Sequence, residues 1–118
     1  ARWTGTAWQD NEVMGAGGAL YASQKSYSGG AAVDRLDPAI LYLAREIGGK
    51  WSLWRYRTED GGATWAAMQL TAPTEDTIAR PVTPQNAHPD LRVLYWQGRY
   101  TSYTDYDTAI FSWPKVMR

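Results

Sequence analysis

Thr58-Glu59-Asp60-Gly61-Gly62-Ala63-Thr64-Trp65 satisfies the pattern Ser/Thr-x-Asp-x-Gly-x-Thr-Trp at every fixed position. Each fixed residue has a task in a tight turn. The Asp60 carboxylate accepts hydrogen bonds from nearby backbone N–H groups, and Gly62 supplies a positive φ that a Cβ would resist. The hydroxyls of Thr58 and Thr64 tie into the loop. Trp65 then starts a strand and buries a large ring beneath the turn.

Upstream of this turn, residues 51–58 alternate Trp51, Leu53, Arg55 and Arg57 on one side with Ser52, Trp54, Tyr56 and Thr58 on the other, the period of a strand. Gly48-Gly49 turns the chain back into Ala39-Ile40-Leu41-Tyr42-Leu43-Ala44, whose apolar run suits a strand buried on both faces. Leu36-Asp37-Pro38 is a further turn, before the short strand Ala31-Ala32-Val33. Downstream, residues 65–70 make a fourth strand. Residues 31–72 are thus expected to form one sheet of four antiparallel strands.

A second unit begins after Ala72-Pro73 and runs over 73–118. Its Leu94-Tyr95 lies 53 residues beyond Leu41-Tyr42, and in both units an X-Pro turn precedes the pair. Arg80-Pro81-Val82 would be its first strand, residues 91–96 its second and residues 106–111 its third, with no second copy of the 58–65 pattern and no clear fourth strand. Residues 1–30 stand apart. Residues 2–14 read as one strand or a bent pair, Gly15-Ala16-Gly17-Gly18 breaks the chain, and a polar loop runs on to Gly29-Gly30.

The box resembles the BNR or Asp-box repeats of sialidase-like β-propellers, in which it joins the two outermost strands of a blade. That resemblance implies an all-β fold of antiparallel four-stranded blades. The 118 residues hold little more than two periods of 53, whereas closed propellers have at least about four blades. The expectation is therefore a single segment, 1–118, of about two blades in an incomplete ring. Residues 1–30 would come from a preceding or closing blade, and further blades from upstream sequence or other copies of the chain. The runs Ala79-Arg80-Pro81-Val82, Leu91-Arg92-Val93-Leu94-Tyr95-Trp96 and Gly98-Arg99-Tyr100-Thr101-Ser102-Tyr103-Thr104-Asp105-Tyr106-Asp107-Thr108, with Gly17-Gly18-Ala19-Leu20-Tyr21, are similar to the end of BNR-repeat propellers among polysaccharide lyases. That narrower likeness implies an extracellular or periplasmic protein acting on uronate-containing polysaccharide by β-elimination. A non-catalytic lectin-like module and a purely structural piece of a ring are the alternatives.

Composition restricts the partners. Lys plus Arg and Asp plus Glu are 12 each, so no bulk field favours nucleic acid or an anionic membrane. Anion recognition has to be local. There is no cysteine, which excludes disulfides and thiolate metal sites, and no apolar run spans a bilayer. Seven Trp and eight Tyr against one Phe favour rings with a polar handle, which suit both short strands and the faces on which sugars stack.

β-Elimination removes the proton next to a uronate carboxylate and expels the 4-O-linked sugar, so it needs a base, an acid and a cation that neutralises the carboxylate. Arg80, on a first strand that would line the channel, is the expected carboxylate clasp, or else an ion-pair partner of the neighbouring blade. Arg99, Tyr100, Tyr103 and Tyr106 are expected to cluster on a loop, as a sugar-stacking wall or as a cover for the blade. Lys25 and Tyr27 lie on a Gly-flanked loop. His88 is the only histidine, so the paired histidines of the lyases have no counterpart, and its place before Pro89 also fits a surface turn. Thr58, Asp60, Gly62, Thr64 and Trp65 read as structural. No metal site is expected. Asp105 and Asp107 suit Ca²⁺ but are too few for an oxygen cage. The chain shows no phosphate loop, no nucleophile elbow and no sialidase set of acid, nucleophile and arginine.

Overall fold

Turn chemistry and alternation, with no helix among the described residues, fold the chain in the computed structural model, which describes residues 1–114. The end of the unit expected over 73–118 lies outside those residues. Strands β1 (Arg2–Trp3) and β2 (Trp8–Gln9) make a small two-stranded sheet. A four-stranded sheet follows, in the order β3 (Ala31–Val33), β4 (Ile40–Ile47), β5 (Lys50–Arg57) and β6 (Ala66–Gln69). A three-stranded sheet, β7 (Thr77–Val82), β8 (Val93–Ser102) and β9 (Asp105–Trp113), completes the described residues. Every pairing is antiparallel.

The hairpin β4–β5 shows the sequence logic most directly. Ile47 pairs with Lys50, and Gly48 and Gly49 between them have φ of 60° and 79°, as a two-residue type I′ turn requires. Burial then alternates along β4: Ile40, Tyr42 and Ala44 are buried while Leu41, Leu43 and Arg45 are half-buried. With Trp51 and Leu53, their neighbours across the ladder, they form one side of the core, and Ile78, Ala79, Val93 and Tyr95 from the second large sheet form the other. Tyr42, Leu53, Ile78 and Val93 are all less than 2 % exposed, each burial being worth about 1.5–3 kcal/mol.

The expected strand over 65–70 is shorter than the sequence suggests. It covers Ala66–Gln69 with all four residues exposed, and Trp65 sits half-buried just ahead of it, its indole N–H donating to the Gly62 carbonyl at 3.1 Å. The N-terminal residues form the bent pair, closed by the Thr4 N–H on the Ala7 carbonyl at 2.9 Å, and neither strand adds to the three-stranded sheet. Burial on both faces of β4 is corrected to burial on one face and partial cover on the other. There the Arg45 Nε donates to the Gly15 carbonyl at 2.7 Å, so residues around Gly15 shield that side.

The box itself closes as its residue types require. The Thr58 hydroxyl donates to the Asp60 carboxylate at 2.8 Å and accepts from the Gly62 N–H at 2.7 Å. Asp60 also receives the Thr64 N–H at 2.9 Å and the Thr64 hydroxyl at 2.6 Å, while Gly62 has φ 102°. The Thr64 hydroxyl, the Thr64 N–H and the Thr58 hydroxyl together hold the Asp60 carboxyl down from 3.8 to about 2. Its folded value lies below its unfolded one, so its contribution is complete above about pH 4 and is lost as pH falls toward 2. Asp60→Asn should therefore flatten the acid limb of the stability curve, read by thermal unfolding from pH 6 to pH 2. Thr58→Ala, which leaves the buried Gly62 N–H unpaired, should cost about 1–3 kcal/mol in urea unfolding.

Candidate functional site: the Arg80 aromatic cluster

Two elements bring Arg80 to the surface. It sits in β7 at a break in the ladder, where the register with β8 shifts between Ala79 and Val82. Its φ is 54°, a left-handed value that a residue with a side chain adopts at a cost of about 1–3 kcal/mol. The Arg80 N–H donates to the Gly29 carbonyl at 2.6 Å, which pins the bulge against the loop of residues 20–30. Ala79 beside it is fully buried, whereas Arg80 is exposed.

That same loop supplies Tyr27, whose ring lies under the Arg80 guanidinium at 4.7 Å from ring centre to Cζ. Among the described residues the Arg80 side chain enters no ion pair. Tyr100 borders the pair: burial pushes its phenol up first, the adjoining Tyr27 phenol adds to this, the Arg80 charge opposes it, and Tyr21 raises it a little further. Tyr100 is in turn flanked by Trp96 at 5.4 Å and by Tyr106 at 6.5 Å with rings 27° apart. A cation outside every ion pair among the described residues, continued by a ribbon of half-buried and exposed rings, can hold an anionic group and stack a sugar face beside it.

Of the residues singled out in the sequence, Arg80, Tyr27, Tyr100 and Tyr106 come together here. The loop expected around Arg99 is a hairpin instead. Arg99 and Tyr100 belong to β8, Tyr106 belongs to β9, and only Tyr103, 77 % exposed, and Thr104 form the tip. Alternating positions along a strand point to opposite faces, so Tyr100 and Arg99 diverge. Arg99 is committed elsewhere: its guanidinium bonds Asp105 at 2.8 Å, which raises the Arg99 pKa and lowers that of Asp105. No group of three or more His, Asp or Glu side chains suited to a metal occurs among the described residues.

Lys25 is exposed on the Tyr27 loop, with no ion pair among the described residues. His88 sits in the turn that the Leu91 N–H closes onto the His88 carbonyl at 2.9 Å, the counterpart of the Ile40 N–H on the Asp37 carbonyl at 3.0 Å. The imidazole is 74 % exposed and 3.4 Å from Asp90. No contact among the described residues joins it to the cluster.

The ion pair between neighbouring sheets exists, but Arg92 makes it rather than Arg80. The Arg92 Nε donates to Asp34 at 3.2 Å, the Nη2 stands 3.0 Å from the same carboxylate, and the Asp34 side chain is 1 % exposed. Sequence reasoning also passed over Trp96 and Tyr21. Trp96 carries a findable signal, since it stands in β8 directly opposite Ala79, next to Arg80. Tyr21 lies on the same loop, which the Leu20 N–H closes onto the Tyr27 carbonyl at 2.7 Å.

A cleft of about 830 Å³ lies beside the Asp-box between the N-terminal residues and β4. Its walls, among them Val13, Val33, Leu41 and Trp65, are apolar, and its cations are occupied: Arg57 by Asp37 and Glu59, and Arg2 by the Gly61 carbonyl. Arg80 instead presents a charge that enters no ion pair among the described residues, with rings placed around it. No family model, curated protein or solved structure matches the chain.

Proposed function

We propose that this chain is a two-blade segment of an Asp-box β-propeller that binds uronate-containing polysaccharide as part of a polysaccharide lyase, with the carboxylate on Arg80 and the sugar faces on Tyr100 and Tyr106. The observation that carries it is the Arg80 guanidinium, exposed on β7, stacked on Tyr27 and outside every ion pair among the described residues. A guanidinium so placed presents a planar fork that matches a carboxylate in two parallel hydrogen bonds.

The propeller reading is supported by the repeat. Strand order runs directly from one sheet to the next, equivalent turns precede β4 and β8, and the box connects the last two strands of the first unit. Exposed aliphatic residues also remain on both large sheets, with Val33 and Ile47 about half exposed on one and Ile110 70 % exposed on the other. Neighbouring blades would cover such side chains.

Polygalacturonate and a neutral glucan, titrated in parallel, test the proposal. Polygalacturonate should bind, with affinity falling as salt rises, but this segment, without the paired histidines, should form no ultraviolet-absorbing C4–C5 double bond by itself. A gain in absorbance on incubation would remove the lectin-like alternative. Equal affinity for the two polymers removes the carboxylate reading.

A further inference from the structure

We propose that Tyr27 is a positioning residue for Arg80, its ring fixing the guanidinium so that the N–H fork faces solvent and the chain prefers uronates over neutral sugars. This rests on the reading of Arg80 as the carboxylate clasp.

A surface arginine ordinarily samples many rotamers, and ordering them opposes binding. Here the guanidinium lies over the Tyr27 ring, with its Cζ 4.7 Å from the ring centre. A planar cation stacked by its face keeps its N–H groups in the plane, directed at a carboxylate arriving edge-on. The ordering is then made once, on folding, and not again with each ligand.

The ring can serve as such a platform because its loop is held at both ends. Within it, the Leu20 N–H bonds the Tyr27 carbonyl at 2.7 Å and the Tyr27 N–H bonds the Gln24 carbonyl at 2.9 Å. Leu20 itself is buried in the core. At the far end the Gly30 carbonyl accepts from the Ala44 N–H at 3.1 Å and the Gly29 carbonyl from the Arg80 N–H at 2.6 Å, so consecutive residues bond both large sheets. Gly29 has no room for a side chain: a Cβ would lie 2.6 Å from the Ala44 carbonyl oxygen and 2.7 Å from the Trp51 ring. The loop cannot slide without disturbing core backbone. The left-handed Arg80, meanwhile, aims its side chain back at the same loop.

The test compares Tyr27→Leu, which keeps apolar bulk, with Tyr27→Phe, which keeps the ring. In the unliganded chain, NMR should find the Arg80 Cδ protons displaced upfield by the ring current in the wild type and in Tyr27→Phe, and at ordinary shifts in Tyr27→Leu. Polygalacturonate affinity should fall about threefold to tenfold in Tyr27→Leu and be restored in Tyr27→Phe, with neutral-glucan affinity the same in all three. Ordinary Arg80 shifts in the wild type overturn the proposal, as does full affinity in Tyr27→Leu. Arg80→Ala separates the two levels. If it weakens polygalacturonate binding while Tyr27→Leu does not, only the positioning role fails; if Arg80→Ala binds as well as the wild type, the clasp reading fails and the positioning role fails with it.

Discussion

Asp34→Ala is expected to destabilise the chain by about 3–5 kcal/mol, more than the loss of the Thr58 hydroxyl from the Asp-box. The Asp34 side chain is 1 % exposed, accepts four hydrogen bonds and pairs with the Arg92 charge. The Leu36 and Asp37 N–H groups donate at 2.8 and 3.1 Å, the Tyr42 hydroxyl at 2.7 Å and the Arg92 Nε at 3.2 Å, with the Arg92 Nη2 in the ion pair at 3.0 Å. Truncation strands a phenol that is 1 % exposed, two turn amides and a guanidinium that is 29 % exposed. It also cuts the one ion pair found between the large sheets among the described residues. Native domains are stable by about 5–15 kcal/mol, so a folded minority at 37 °C is a realistic result. Asp34→Asn, which keeps an acceptor for the turn amides, should lose less. Urea unfolding reads both, and a loss below about 1 kcal/mol in Asp34→Ala would show that the network is not what joins the sheets.

The pH dependence has a definite sign. Burial pushes the Asp34 carboxyl up, but the Tyr42 hydroxyl, the Leu36 and Asp37 amides and the Arg92 charge outweigh it, and the net shift is downward. A depressed carboxyl stabilises the fold above its unfolded value and ceases to do so as pH falls through the folded one. With Asp60 shifted the same way, acid unfolding should proceed in the range below pH 4, and Asp34→Asn should remove part of that dependence.

Arg80→Ala should weaken polyuronate binding by about 10- to 100-fold, the worth of hydrogen bonds to a charged group at about 1.5–3 kcal/mol. Neutral-glucan affinity and the unfolding midpoint should stay close to wild type. The side chain is exposed and supports no other residue through an ion pair among the described residues. Arg80→Gly adds a second reading. At φ 54° a glycine carries no Cβ strain, so this variant should be at least as stable as Arg80→Ala while binding no better. Unchanged polyuronate affinity in both would end the carboxylate assignment.

Local chemistry made much of the fold legible. The Asp-box bonds follow from residues within seven positions of one another, and the β4–β5 turn follows from two adjacent glycines. The order of strands followed from alternation, and the turns at Asp37 and His88 close through the same type of backbone bond. Boundaries were less legible. β8 and β9 extend into the Tyr103 tip because the pairing of Tyr100 with Tyr106 carries the ladder through residues whose polarity resembles a loop.

Within the site, the sequence by itself marked Arg80, Tyr27, Tyr100 and Tyr106 as separate candidates, because residue type and turn context are local properties. Only the tertiary structure decided that they meet, that Arg92 rather than Arg80 pairs with Asp34, and that Trp96 joins the cluster. The physical reason is that these contacts depend on how one sheet is set against the other, through Gly29 bonding β7 and Gly30 bonding β4. No pattern along a short stretch of chain contains that geometry, since Asp34 and Arg92 are 58 positions apart. The Asp-box turn was determined by its own residues, and the cluster on the opposite unit was determined by the fold.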